Sequence, residues 1–365
     1  MNLKSRCDEM GKIKIAVAGV GNCCSALVQG IHHAKTDGTS SLGLIYENFG
    51  EYVVSDIDIV AAFDVVQGKV GMDLSEAIFG TPNNMYSLSN EELPKSGVIV
   101  QKGEELDGIG EYMKEIVTID ESDPVNVVDT LKATKAEILL NLIPSGATEA
   151  SKWYGEQALK AGCAFINVTP VMMASDPDWN KKFKGAGLPI AGDDLQNQIG
   201  STIIHKNLLK MLVDRGVHIK ESYCLDVGGG TESLNALHRA RGIKRSFKTD
   251  AVKSQVHYDV PIVAGSTDFV QFLETRRTSY FWILGTHYAN SADVRIDIQL
   301  STTDAPNSFA ILVDAIRGTK IALKRKISGS LESVSAYGFK KPPKAATIEE
   351  ATKWIEEFIS GRRKI

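Results

Sequence analysis

Lys244 and Lys248 stand four residues apart, a spacing that puts both side chains on one face of a helix. There each raises the other's cost of ionisation unless an anion lies between them. Such a pair can bind phosphate or supply an amine that moves protons. Arg239, Arg241 and Arg245 lie alongside, so the local sequence taken alone favours a solvated basic face. A second group is Gly19-Val20-Gly21-Asn22, which follows the apolar run KIKIAVA. A Gly-x-Gly there sets backbone N–H groups and a helix N-terminus where a pyrophosphate can sit. Cys24 holds the place of the third glycine of the dinucleotide fingerprint and is small enough for close helix–strand packing. The plain alternative is an ordinary strand–helix turn. Asp64 ends the second apolar run, where a carboxylate accepts hydrogen bonds from ribose hydroxyls and selects NAD over its 2′-phosphorylated relative. Its long separation from the glycines requires an insertion, for which residues 36–56 are the candidate; otherwise Asp64 is a turn aspartate.

Polar or turn-forming residues also cap the later apolar runs: Asn141 followed by Pro144, Ser145 and Gly146; Asn167 followed by Thr169; and Gly192-Asp193-Asp194. Ligands bind at such carboxyl ends of strands. Gly200-Ser201-Thr202 opens a helix and offers hydroxyls and N–H groups to a phosphate ester, or simply caps the helix. The seven histidines form no HExxH or comparable metal spacing, and none is assigned to catalysis. Cys7, Cys23, Cys24, Cys163 and Cys224 have no CxxC spacing and read as reduced thiols.

These groups need a scaffold. Short apolar runs at 12–18, 58–63, 137–143, 164–168 and 188–191, the last three separated by helical stretches, predict a doubly wound α/β domain with a parallel sheet. After a helix over 201–215 the pattern changes. Runs at 219–227, 255–263, 280–285 and 294–300 predict an inserted α+β domain with antiparallel pairing, and Arg295-Ile296-Asp297-Ile298-Gln299-Leu300 alternates strictly. Helices over 308–323 and 348–359 are expected to pack back on the first domain.

A chain of 365 residues with 43% hydrophobic and 24% charged residues is long enough for two domains and has ordinary globular composition. Its net charge of −4 supplies no global basic field, which argues against nucleic acid or anionic lipid as partner. No 18-residue apolar window and no secretion signal are visible, so the expectation is a cytoplasmic protein.

Ala16-Val17-Ala18-Gly19-Val20-Gly21-Asn22-Cys23, Ala61-Ala62-Phe63-Asp64-Val65, Gly192-Asp193-Asp194, Asp304-Ala305-Pro306-Asn307-Ser308 and Ser335-Ala336-Tyr337-Gly338-Phe339-Lys340 occur in an order that closely resembles inositol-1-phosphate synthases of the compact prokaryotic type. The resemblance runs from about residue 12 to 343. It implies a Rossmann-like NAD-binding domain built from residues 1–200 and 304–365, with residues 201–303 as catalytic and tetramerisation domain. The implied activity is cyclisation of D-glucose 6-phosphate to 1D-myo-inositol 3-phosphate by a homotetramer. NAD oxidises C5, the enol attacks C1, and the retained NADH reduces the ring. By position, Lys244, Lys248 and Lys340 match catalytic or phosphate-binding lysines of that family, Asp193 and Asp304 match its active-site carboxylates, and Asp304 with Ser308 lies in a segment associated with a cation. Gly19, Val20, Gly21, Asn22, Cys23, Asp64, Pro144, Ser145, Gly146, Thr169, Asp193 and Asp194 are the implied cofactor contacts; Gly200, Ser201, Thr202 and Lys248 are the implied phosphate contacts. Arg277 and Gln196 stand where lysines are expected, and Gly230 with Glu232 replaces an Asn and Asp pattern. Arg277 cannot act as a base and is expected to serve as a fixed charge. The departures keep two alternatives open: a net dehydrogenase of a related substrate, and an NAD-bound scaffold or sensor.

Overall fold

The apolar run at the first glycine turn becomes strand β1 (Ile13–Ala18), and the residues after the turn become helix α1 (Asn22–Thr36). The computed structural model describes residues 11–36, 43–88, 92–107 and 109–365. Cys7 and part of the expected 36–56 insertion lie outside the described residues. The chain continues through β2 (Ile57–Asp64), α2 (Leu74–Ala77), β3 (Val100–Lys102), α3 (Val127–Thr134), β4 (Ile138–Asn141), α4 (Thr148–Ala161), β5 (Ala164–Asn167), α5 (Pro177–Gly185) and β6 (Pro189–Ala191). Next come α6 (Ser201–Asp214), β7 (His218–Gly228), α7 (Thr231–Arg239), α8 (Arg241–Lys253), β8 (Ile262–Phe269), β9 (Arg276–His287) and β10 (Ala292–Thr303). The chain closes with α9 (Phe309–Lys324), β11 (Gly329–Ser330), α10 (Glu332–Gly338) and α11 (Ile348–Ile359).

A seven-stranded sheet has the order β11-β6-β5-β4-β1-β2-β3, and all its pairings are parallel. Strand β1 shows why both faces are covered. Ile13, Ile15 and Val17 join a core with Leu27 of α1 and Leu312 of α9, whereas Ala16 and Ala18 join another with Leu131 of α3 and Tyr154 of α4. The period of two sends alternate side chains into each layer. Each fully buried Ile or Leu contributes about 1.5–3 kcal/mol. The strand order reverses beside β1, which opens a crevice at the carboxyl ends of β1 and β4.

The second sheet has the order β10-β9-β7-β8 and its own core, with Leu209 and Leu212 of α6 against Ile219, Ile262 and Ile283. Strand β9 is antiparallel to both neighbours, but β8 runs parallel to β7, unlike the expected all-antiparallel pairing. Helices α7 and α8 supply the crossover that parallel neighbours need. The strand expected at 255–263 accordingly begins only at Ile262. After β10, α9 packs on the first sheet and β11 pairs with β6. No described helix is long and apolar enough to cross a membrane.

Arg317 of α9 ties the chain before β2 to this layer. Its fully buried guanidinium pairs with Asp314, donates to the Tyr46, Glu47 and Tyr52 carbonyls at 2.8, 2.9 and 3.3 Å, and lies 5.4 Å from the Phe49 ring centroid. Arg317→Ala leaves a buried carboxylate and three carbonyls short of a donor. Denaturant unfolding should report a loss of about 3–5 kcal/mol. A loss within the range of an ordinary surface substitution would contradict this anchoring role.

Candidate active site

The crevice has two lobes that meet at the glycine turn. Gly19 has φ +97°, and a Cβ there would lie 2.7 Å from the Leu142 carbonyl carbon, so this position requires glycine. Gly21 has the opposite surroundings: it lies on the wall of both lobes, and a Cβ there would meet nothing within 4 Å. Its missing side chain leaves room for a ligand. The 15-residue helix α1 begins at Asn22, whose carboxamide accepts from the Asn84 and Met85 N–H groups at 2.9 and 3.0 Å and donates to Asn84 at 2.8 Å.

One lobe carries Asp64, which accepts from the Val20 N–H at 2.7 Å and from the Val65 and Val66 N–H groups at 2.7 and 3.0 Å. Gly19 and Val20 also line it. So does Lys69, which the sequence reading did not single out. Its ammonium donates to the Val20 carbonyl and to Asn83 at 2.8 Å each, and burial lowers its pKa although Asp64 opposes the shift. Pro144 borders both lobes, whereas Gly146 lies behind the wall and packs against Arg239, whose guanidinium bonds its carbonyl at 3.3 Å.

The other lobe gathers the charged groups, together with Asn22, Cys23, Ser145, Thr169, Gly200, Ser201 and Thr202. Lys340 pairs with Asp194 at 2.8 Å, and Arg277 pairs with Asp304 at 2.8 Å. Lys244 pairs with Glu232, and Lys248 with Asp226. Of the basic face that the sequence alone assigned to solvent, Lys248 is buried and Lys244 mostly so, whereas Arg241 and Arg245 stay exposed. Lys244 feels burial, which disfavours its charge, but Glu232 and Asp194 outweigh it and raise its pKa. Lys340 goes the other way: burial, helped by Lys244 and Lys248, outweighs Asp194 and lowers its pKa. Burial and Asp304 push the Cys23 thiol up to about 11, so it is not a nucleophile at neutral pH.

Backbone geometry aims Asp194. It adopts the left-handed region at φ 59°, and its N–H donates to Thr169 while its carbonyl accepts from the Lys340 N–H at 2.8 Å. One carboxylate oxygen takes Lys340; the other is buried without a protein partner. That atom, the Thr202 hydroxyl, the Asn235 carboxamide oxygen and the Arg277 Nε–H are all buried without a protein partner among the described residues lining this lobe, where a polar ligand can satisfy them by donating or accepting.

Asp193 is placed elsewhere than its expected catalytic and cofactor-binding position. It is fully buried outside both lobes and accepts from Asn167, from the N–H groups of Met173, Ala174 and Ser175, and from the Ser175 hydroxyl, at 2.8–3.0 Å. The neighbouring aspartate alone turns into the pocket. Gln196 is likewise buried outside the pocket wall. The expected cation donors are engaged: Asp304 holds Arg277 and accepts from Asn197 at 2.8 Å, and the Ser308 hydroxyl donates to the Ala305 carbonyl at 2.7 Å. Among the described residues no cluster of three His, Cys, Asp or Glu side chains forms a metal-binding group. This donor set does not fit a bound cation, because a guanidinium already fills the place beside Asp304. The sequence reading also passed over Asp226 and Asn197.

Residues 200–305, which carry most of the charged lobe, match the myo-inositol-1-phosphate synthase family. Over 364 residues the chain is 41% identical to the inositol-3-phosphate synthase of Mycolicibacterium smegmatis, covering 97% of this chain and 99% of that protein. The chain belongs to the inositol-3-phosphate synthase family. The synthase of Corynebacterium glutamicum is 40% identical over 95% of this chain and 98% of its own. The crystal structure of Ari2 superposes with a TM-score of 0.76 at 30% identity, covering 96% of this chain and 99% of that one. Within this family fold, Asp193 is read here as a packing residue. Asp193→Asn should lower thermal stability by about 1–3 kcal/mol through lost acceptor capacity. Turnover per folded molecule should change far less than on removing the Lys340 amine; a selective loss of turnover with unchanged stability would contradict this.

Proposed function

We propose that the protein is an inositol-3-phosphate synthase that uses NAD catalytically to cyclise D-glucose 6-phosphate to 1D-myo-inositol 3-phosphate. The observation that carries this reading is the convergence of Lys244, Lys248, Arg277 and Lys340 on a pocket that opens onto the glycine turn. A net dehydrogenase needs no such number of cations. The open space at Gly21, the N-terminus of α1 and the Asp64 carboxylate suit an NAD pyrophosphate and ribose. When bound, NAD supplies a hydride acceptor and later the hydride donor.

The chain's own residues supply the rest. The N-terminus of the 14-residue helix α6, the unpartnered Thr202 hydroxyl and Lys248 are suited to hold the phosphate. Lys340 is the pocket lysine whose pKa burial and the neighbouring lysines lower, which suits it to take the proton during enolisation. Lys244 and Arg277 steady negative charge on the substrate oxygens. We assign no step to a bound cation. The outer face of the second sheet exposes Tyr223, Leu225 and Tyr280 beside Arg295, Asp297 and Gln299 of β10, with Trp282 stacked 5.6 Å from Tyr223, and this mixed aromatic and polar face is suited to subunit contact in a homotetramer.

Anaerobic incubation of the protein with NAD and glucose 6-phosphate should yield an inositol monophosphate without net NADH. Steady NADH accumulation would favour a dehydrogenase, and NAD binding without turnover would favour a scaffold. Lys340→Met should lower kcat by ~10²-fold or more with NAD affinity retained. Arg277→Lys, which keeps the charge, should retain most activity; loss comparable to Lys340→Met would contradict a purely electrostatic role for Arg277.

A further inference from the structure

Asp226 is a fully buried carboxylate that does not line the pocket, yet it touches a lysine that does. Lys248 reaches its place along a prepared path. Its stem passes Gly265 of β8, where φ is +83° and a Cβ would lie 2.6 Å from the Lys248 Cδ. The β7–β8 register shifts at the same point, between Cys224 and Asp226, as a bulge that re-aims side chains would shift it. At the far end Lys248 donates to the Ser201 hydroxyl at 2.8 Å and to one Asp226 oxygen. The other Asp226 oxygen accepts from the Ser279 hydroxyl at 2.6 Å. Burial pushes the Asp226 carboxyl up, but Lys248 and Arg277 outweigh it and hold it well below the usual carboxylate range.

We propose that Asp226 is a positioning residue: from behind the pocket wall it fixes Lys248 as a standing cation for the substrate's anionic group and takes Lys248 out of proton transfer. The assignment rests on the reading of the pocket as a sugar-phosphate site. A buried ammonium with no counter-charge gives up its proton, because desolvation penalises the charged form. Asp226 supplies that counter-charge. The bonds from Ser279 and Ser201 hold the pair in one geometry, which a loosely placed carboxylate would not do.

The test measures sulfate affinity against pH by calorimetry with NAD present, because sulfate keeps its charge over the working range. The charged and titratable groups facing Lys248 are Asp226 and Cys224 on β7, His205 on α6, Arg277 on β9, and Lys340 after α10. Asp226 also holds up the pKa of the Cys224 thiol, so the protein with Asp226 and the Asp226→Asn variant both carry Cys224→Ser; with Lys340 common to the two, the difference between their profiles then reports Lys248. Removing a carboxylate by Coulomb's law alone strengthens anion binding equally at every pH. The proposal expects instead that the variant loses sulfate affinity as pH rises, by ~10-fold or more below the ordinary lysine range and beyond any loss in the protein that keeps Asp226.

The KM for glucose 6-phosphate should rise over the same range while kcat changes little. Parallel profiles for the two proteins would overturn the proposal, as would loss of kcat with unchanged KM, which would make Lys248 a base. If Asp226→Asn fails to fold, the double variant Asp226→Leu, Lys248→Met removes both charges together. It should bind NAD normally and sulfate weakly; native sulfate affinity in it would also overturn the proposal. The calorimetry needs no turnover, so the expected profile supports the assignment even if the native protein failed to cyclise glucose 6-phosphate, the result that would sink the proposed function instead.

Discussion

Several cations can share one buried pocket only if carboxylates are buried with them, and this constraint shapes the charged lobe. Lys340 meets Asp194, Lys244 meets Glu232, Lys248 meets Asp226 and Arg277 meets Asp304. Breaking a pair buried on both sides, such as Lys248 with Asp226, leaves an uncompensated charge and costs about 3–5 kcal/mol, whereas solvent at the 39% exposed Glu232 side chain screens its pair with Lys244. The balance differs among them. At Lys244 the counter-charges outweigh burial, whereas at Lys340 burial and the neighbouring lysines outweigh Asp194. One site thereby holds fixed cations and an amine suited to exchanging a proton.

No single element supplies these partners. Asp226 comes from β7, Glu232 from α7, Asp304 from the turn after β10 and Asp194 from the turn after β6. The two sheets must therefore meet at the pocket, and the backbone shows how the last pair is secured. The Asp193 and Lys341 backbones exchange two hydrogen bonds at 3.0 Å each, and the Lys340 N–H donates to Asp194 at 2.8 Å. The return of the chain end to the first sheet brings Lys340 to a carboxylate more than a hundred residues earlier. Packing of the first sheet and placement of Lys340 beside Asp194 are thus one structural fact.

The elements with clear periodicity were legible in the sequence. KIKIAVA, the glycine turn and the run ending at Asp64 are long enough for strand and turn signals to agree, and they become β1, the start of α1 and β2. Strands β3 and β11 are too short for any period to register, and β8 begins late because residues 254–261 form the turns and irregular chain that lead from α8 to the sheet. Lysine spacing identified a common helical face, but only tertiary burial distinguishes a pocket wall from a solvated face. Asp193 and Asp194 illustrate a finer limit: of two adjacent residues of one type, only Asp194 lines the pocket, and the backbone conformation decides which one does. Asp226 was illegible for a related reason. In the run Leu225-Asp226-Val227 it reads as the outward polar position of an alternating strand, whereas the lysine that it neutralises arrives from another helix.

The claim that Lys340 is the proton-moving amine, tuned by burial against Asp194, is tested most directly by the pH dependence of kcat/KM for glucose 6-phosphate in the native protein and in Asp194→Asn. A base must be neutral, so the rate should rise with pH through the Lys340 ionisation. Asp194 raises that pKa, while burial, Lys244 and Lys248 lower it. Removing the Asp194 charge must therefore move the rising limb to lower pH. A limb that stays in place, or moves to higher pH, would contradict the account.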